Sequence, residues 1–105
     1  MTVDMKIGAG IEFPESELIQ LCQRYQIREL SLFGSAARNE LTSGSDIDLL
    51  VDFLPEASIS LFRHVAAERE LSQLLGRKVD LVSKRALRSS MRNDVIAQAR
   101  LVYAA

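Results

Sequence analysis

The stretch "LFGSAARNELTSGSDIDLLVDF", Leu32–Phe53, decides the fold. An apolar run stops at Gly34-Ser35, and the next one starts on Asp46-Ile47-Asp48. Ile47–Phe53, with its nearly continuous apolar core and Pro55 just beyond, is expected to be a buried strand. Between the two runs, "AARNEL" is expected to form a short helix and "TSGS" a loop. Two carboxylates at the head of a core strand are the feature that needs explaining.

Outward from this stretch the chain alternates helix and strand. Pro14 suits the start of a helix, Glu15 and Glu17 suit its positive end, and Leu18, Leu21, Cys22 and Tyr25 recur at helical spacing over 15–25. Glu29–Phe33 reads as a strand. Ser58–Leu75 reads as a long helix with Leu61, Val65, Leu71 and Leu75 on its apolar face and Gly76 as its stop. "KVDLV" is expected to be a third strand, and Leu87, Met91 and Val95 to mark a last helix. "LVY" adds an edge strand. Phe33, Phe53 and Phe62 are core candidates, His64 a surface or half-buried residue, and residues 1–13 a loose arm before a domain spanning 14–105. The pattern is α/β (α+β), with a small mixed β-sheet flanked by helices.

Strand side chains alternate, so Asp46 and Asp48 share a face with Cα atoms about 6–7 Å apart. Carboxylates this close repel one another, and a hard divalent cation such as magnesium removes that cost. Taken alone, the pair also fits a solvated strand end. Asp52 shares their face but lies two alternations, four residues, beyond Asp48 and is left out of the site. Gly34 lets the backbone turn tightly and approach a ligand, Ser35 adds a hydroxyl at the start of a helix, and Arg38 lies one turn on with a fork of donors. These are phosphate-binding features. Asp80 is an acid between Val79 and Leu81, in the middle of a short apolar strand. It either caps the following helix or joins Asp46 and Asp48, if the two strands are neighbours. Three converging carboxylates are what two metal ions need for in-line phosphoryl displacement.

"GSAARNELTSGSDID" carries Gly-Ser, ten residues and Asp-x-Asp. Together with "LLGRKVDLV", it resembles the minimal nucleotidyltransferases of the DNA polymerase β-like superfamily over residues 28–83. The resemblance implies the polymerase β-like nucleotidyltransferase palm and transfer of a nucleoside monophosphate from a nucleoside triphosphate to a hydroxyl. It implies that Gly34 and Ser35 hold the triphosphate, and Arg38 and Ser45 are further candidate nucleotide contacts. It also implies that Asp46, Asp48 and Asp80 are catalytic and hold two Mg2+ ions, with ATP as substrate.

Minimal proteins of this type resemble antitoxins paired with HEPN-family ribonuclease toxins. The implied acceptor is then a hydroxyl of the toxin protein, which AMP transfer silences. Two alternatives stay open. One is neutralisation by binding alone; the other is transfer to a small molecule, as in aminoglycoside-modifying relatives. No second domain is evident in these 105 residues, so part of the acceptor site is expected to come from elsewhere.

Charge is unevenly divided. Residues 1–75 carry six Lys/Arg against twelve Asp/Glu, and residues 76–105 carry seven against two. Arg85, Arg88 and Arg92 are expected on one side of the last helix, as a solvated face, a cover for the triphosphate or a contact for an acidic partner. With a net charge of -1, no direct nucleic-acid binding is expected. Cys22 is the only cysteine, which excludes an internal disulfide and a cysteine zinc site and suits a reducing, cytoplasmic setting. No apolar run approaches membrane-spanning length. A hetero-oligomer with the toxin, or a homo-oligomer, is compatible with these features.

Overall fold

A computed structural model of the chain describes residues 2–3, 6–7, 11–37, 46–87 and 89–105. Its elements are β1 (Thr2–Val3), β2 (Lys6–Ile7), β3 (Ile11–Glu12), α1 (Glu15–Arg24), β4 (Ile27–Phe33), α2 (Gly34–Ala37) and β5 (Ile47–Phe53). They continue with α3 (Leu61–Leu75), β6 (Val79–Ser83), a 3-10 turn (Lys84–Ala86), α4 (Ser89–Gln98) and β7 (Arg100–Ala104). Five strands form one mixed sheet in the order β1-β7-β4-β5-β6, and β2 and β3 make a separate hairpin. β4 runs antiparallel to β5 and β7, whereas β5 and β6 are parallel. A parallel pair needs a crossover, and α3 supplies it.

The sheet buries one face under α1 and α3. Ile47, Leu49, Val51 and Phe53 point into this core from β5, and Val79 and Leu81 from β6. Leu18, Leu21 and Cys22 from α1 and Ala67 and Leu71 from α3 meet them. The Cys22 thiol is fully buried, and burial pushes its pKa up to about 12. It is a packing group, as its place on the apolar side of the helix led one to expect. The opposite alternation of β5 carries Asp48, Leu50 and Asp52. Asp52 is buried because Arg28 clamps it, with Nη2 at 2.5 Å and Nε at 3.0 Å from Oδ2.

Several expectations need correction. The N-terminal stretch, read as a loose arm, contributes β1, which pairs with β7, and Phe13 is fully buried. "LVY" is therefore internal to the sheet, between β1 and β4. The long helix begins at Leu61, where Ser60 caps it by accepting from Arg63 N at 3.2 Å. Its buried face is Ala67 and Leu71, with Leu74 and Leu75 partly buried. At 3.6 residues per turn, Leu61 and Val65 stand about 80–120° around from Leu71, and Phe62 about 180°. All three are exposed, so Phe62 is not a core residue. Leu87 precedes α4, Met91 is exposed, and none of the described α4 side chains is fully buried. Arg85 lies in the 3-10 turn, so it shares no helix face with Arg92. Arg88 lies outside the described residues. The expected end of the short helix and the "TSGS" loop lie outside them as well.

Candidate active site

The site starts from the end of β4. Phe33 is paired with Asp48 across the β4–β5 ladder, and Gly34 follows it at φ 66°. A Cβ built on Gly34 would stand 2.5 Å from Asp48 Oδ2 and 3.3 Å from its Cγ. Only glycine leaves room for that carboxylate and tolerates that backbone. The turn and the acid, fourteen positions apart in the sequence, are thus in direct contact. Ser35 follows Gly34 in the first turn of α2. Arg38 and Ser45 lie outside the described residues.

Asp48 is paired in register with Asp80 across the parallel β5–β6 ladder. Neighbouring strands run about 4.8 Å apart, so two carboxylates stand side by side. Asp48 is half-buried beneath the turn, and Asp80 is exposed. The expectation that their strands are neighbours holds. Asp46 sits at the head of β5, exposed, with Lys78 Nζ 3.7 Å from its Oδ2. The backbone locks this corner, because Ile47 N donates to Lys78 O at 2.9 Å. Among the described residues no three Asp, Glu, His or Cys side chains come close enough together to enclose a metal ion. The fold brings Asp48 and Asp80 together and leaves Asp46 turned towards Lys78. Lys78 was not singled out from the sequence. The available signal was a cation two positions before Asp80, at the entry of the same strand.

His64 stays apart from these acids. Its Nε2–H donates to Leu81 O at 2.8 Å, and its ring meets Phe53 edge-on at 6.2 Å between centroids. It is half-buried and structural, as expected.

A family profile for the nucleotidyltransferase domain matches residues 17–103. The chain belongs to the nucleotidyltransferase domain family. This nucleotidyltransferase is 40% identical over 79 residues to the protein adenylyltransferase MntA of Thermococcus cleftensis, covering 75% of this chain and 78% of that protein. It is 39% identical over 82 residues to a candidate protein adenylyltransferase of Methanocaldococcus jannaschii, covering 73% and 82%. Among solved structures, a toxin–antitoxin crystal structure with AMP-PNP superposes with a TM-score of 0.71 at 22% identity, over 89% of this chain and 75% of that one. An MNT antitoxin bound to a tri-AMPylated HEPN toxin from Shewanella oneidensis superposes at 0.62 and 22% identity, over 87% and 70%. These two likenesses establish the fold, a mixed sheet flanked by helices.

The family uses a nucleoside triphosphate and a divalent metal, and the local chemistry fits such a metal. The donors are all carboxylate oxygens, the ligands a hard cation prefers. The absence of a side chain at Gly34 lets the Asp48 carboxylate lie directly against the turn.

Proposed function

We propose that this nucleotidyltransferase moves AMP from ATP to a hydroxyl of a partner protein, a HEPN-family toxin, and so acts as its antitoxin. The observation that carries the reading is the contact of Gly34 with Asp48, with Asp80 paired beside it. A phosphate-binding turn and two carboxylates then address the same point. The 40% identical relative named as a protein adenylyltransferase supports a protein acceptor. An ATP substrate and a single buried thiol suit the cytoplasm.

Asp46, Asp48 and Asp80 would hold two magnesium ions. When bound, the ions neutralise phosphate charge and make the attacking hydroxyl more acidic. The chain's own groups do the positioning. Gly34 would turn the backbone towards the triphosphate, and Ser35, Arg38 and Ser45 are the further donors assigned to it from the sequence. The acceptor oxygen attacks the α-phosphorus, a new P–O bond forms, and the bond to the bridging oxygen breaks as pyrophosphate leaves. Asp80, the more exposed of the register pair, takes the hydroxyl proton.

The test uses ATP labelled on the α-phosphate, magnesium and the HEPN-family protein encoded by the neighbouring gene. Label is expected on the toxin with the native chain and not with Asp46→Asn/Asp48→Asn. A second reading, neutralisation by binding alone, draws on the turn of Asp46 towards Lys78. It predicts that the double variant still neutralises the toxin as well as the native chain does, an outcome that would end the catalytic reading.

A further inference from the structure

Leu61, Phe62 and Val65 open α3 with 77%, 89% and 42% of their surface exposed. They are not isolated. Beside them lies a groove of about 590 Å3 whose apolar wall includes Phe53, Ala57, Ile59, Leu61, Leu81 and Val82. A contiguous apolar surface of this kind marks a contact surface, whereas single exposed leucines do not.

The structure limits what can cover it. β6 ends the sheet on this side, and an added strand would need its outward backbone groups. α3 already takes them. Ser72 Oγ accepts from Val79 N at 3.0 Å, Glu68 Oε2 accepts from Leu81 N at 2.8 Å, and His64 donates to Leu81 O. Strand addition is thereby blocked along Val79–Leu81, and side chains entering the groove remain. Leu61 and Val65 are one turn apart, the spacing that meets a crossing helix. Among the described residues the rim carries one cation, Arg85, whose Nη2 lies 3.5 Å from Phe53 O, while Arg63 turns away to donate to Arg24 O at 2.9 Å. Glu56 is the acid on the loop before the groove.

We propose that the first turn of α3 and this groove dock an amphipathic helix of the protein acceptor. Leucine or aromatic side chains fill the groove, and an acidic residue beside them meets Arg85. The inference rests on the protein-acceptor reading above. The docking face lies at the far end of β5 from the acids, since Phe53 is five positions beyond Asp48, about 16 Å along the strand. The docked helix is an anchor, and the acceptor hydroxyl comes from another part of the partner.

The test is made in the Asp46→Asn/Asp48→Asn background, so that binding is read without transfer. A photo-crosslinking benzoylphenylalanine replaces Phe62, and the purified HEPN-family protein from the neighbouring gene is the probe. Affinities of Phe62→Asp and, separately, Leu61→Asp are measured by calorimetry, with Met91→Asp on α4 as the control. The expected result is a crosslink to an acid-flanked helix of the toxin and at least a tenfold loss of affinity for each α3 variant. Met91→Asp changes nothing. Crosslinking to a second copy of this chain, no crosslink, no binding by the toxin, or unchanged affinity of both α3 variants overturns the proposal. If docking holds but the native chain transfers no label, the transfer reading fails alone. If label is transferred with an unchanged KM for the toxin in Phe62→Asp, the docking face fails alone.

Discussion

Gly34 and Gly76 share left-handed backbone, at φ 66° and 67°, yet only one of them touches the site. A Cβ at Gly76 would meet nothing within 4 Å, whereas one at Gly34 would strike the Asp48 carboxylate. Gly76→Ala is therefore expected to cost about 1 kcal/mol of stability and no activity. Gly34→Ala carries the same backbone strain and also displaces Asp48. Its AMP transfer should fall about a hundredfold, because misplacing a catalytic group by 1 Å has that effect. Urea midpoints and α-phosphate label transfer, read together on both variants, separate strain from displacement. Cys22 gives a second expectation. Its folded pKa of about 12 lies above the ordinary 9.0, so the unfolded chain loses its proton first as pH rises. Stability from this group is complete below pH 9.0 and declines towards pH 12. Chemical denaturation across that window should show the alkaline loss, and Cys22→Ala should remove that part of it. At this scale much was legible. The neighbourhood of Gly34, Asp48 and Asp80 was visible because each is a rare residue type set against an apolar strand, whereas the turn of Asp46 towards Lys78 was not. An exposed lysine before a strand looks like any other solvated charge.

The edge of β6 is protected by one face of α3. His64, Glu68 and Ser72 follow one another at intervals of four and bond to Leu81 and Val79, while Ser72 Oγ also donates to Glu68 O at 2.9 Å. Glu68→Ala would leave the Leu81 N–H without its acceptor, at a cost of about 1–3 kcal/mol. Hydrogen exchange at the Leu81 amide should quicken accordingly. Glu68→Gln keeps an acceptor oxygen and is expected to retain most of the protection; if it behaves like the alanine variant, charge rather than the hydrogen bond is what matters. This ladder also shows why the helix was misread from sequence. The apolar spacing of Leu61 and Val65 looks like a core face, but Ala67 and Leu71 hold the core while a polar stripe serves the strand edge. An alanine and one leucine are a weak periodic signal beside exposed Leu61, Phe62 and Val65. The strands fared better, since β5 is apolar on both alternations except at its acids. Partner choice across the sheet was beyond reach: nothing in "LVY" announces that a two-residue strand from the N-terminus lies outside it.

Over the whole molecule, the proposed chemistry and the proposed docking face occupy opposite ends of one parallel strand pair. The acids stand where β5 and β6 begin, and the exposed apolar turn of α3 stands where they end. Charge is divided along similar lines, with twelve acids in residues 1–75 and seven of the thirteen basic residues in 76–105. Arg85 brings part of that basic segment to the groove rim, where it is solvent-facing and acts at long range. Exposed charges mainly speed the encounter, whereas buried apolar contacts mainly slow the escape. The two classes of variant should therefore separate kinetically. Arg85→Glu is expected to lower the association rate for the proposed HEPN-family partner about threefold at low salt and to leave dissociation nearly unchanged. Raising ionic strength from 0.01 M to 0.15 M shortens the screening length from about 30 to 8 Å, so it should slow association of the native chain and narrow the gap to the variant. Phe62→Asp should do the reverse, accelerating dissociation with little change in salt dependence. Surface plasmon resonance over a salt series reads both rates. If the charge-reversed variant associates as fast as the native chain at low salt, Arg85 does not steer the partner, and the apolar turn of α3 would have to account for specificity unaided.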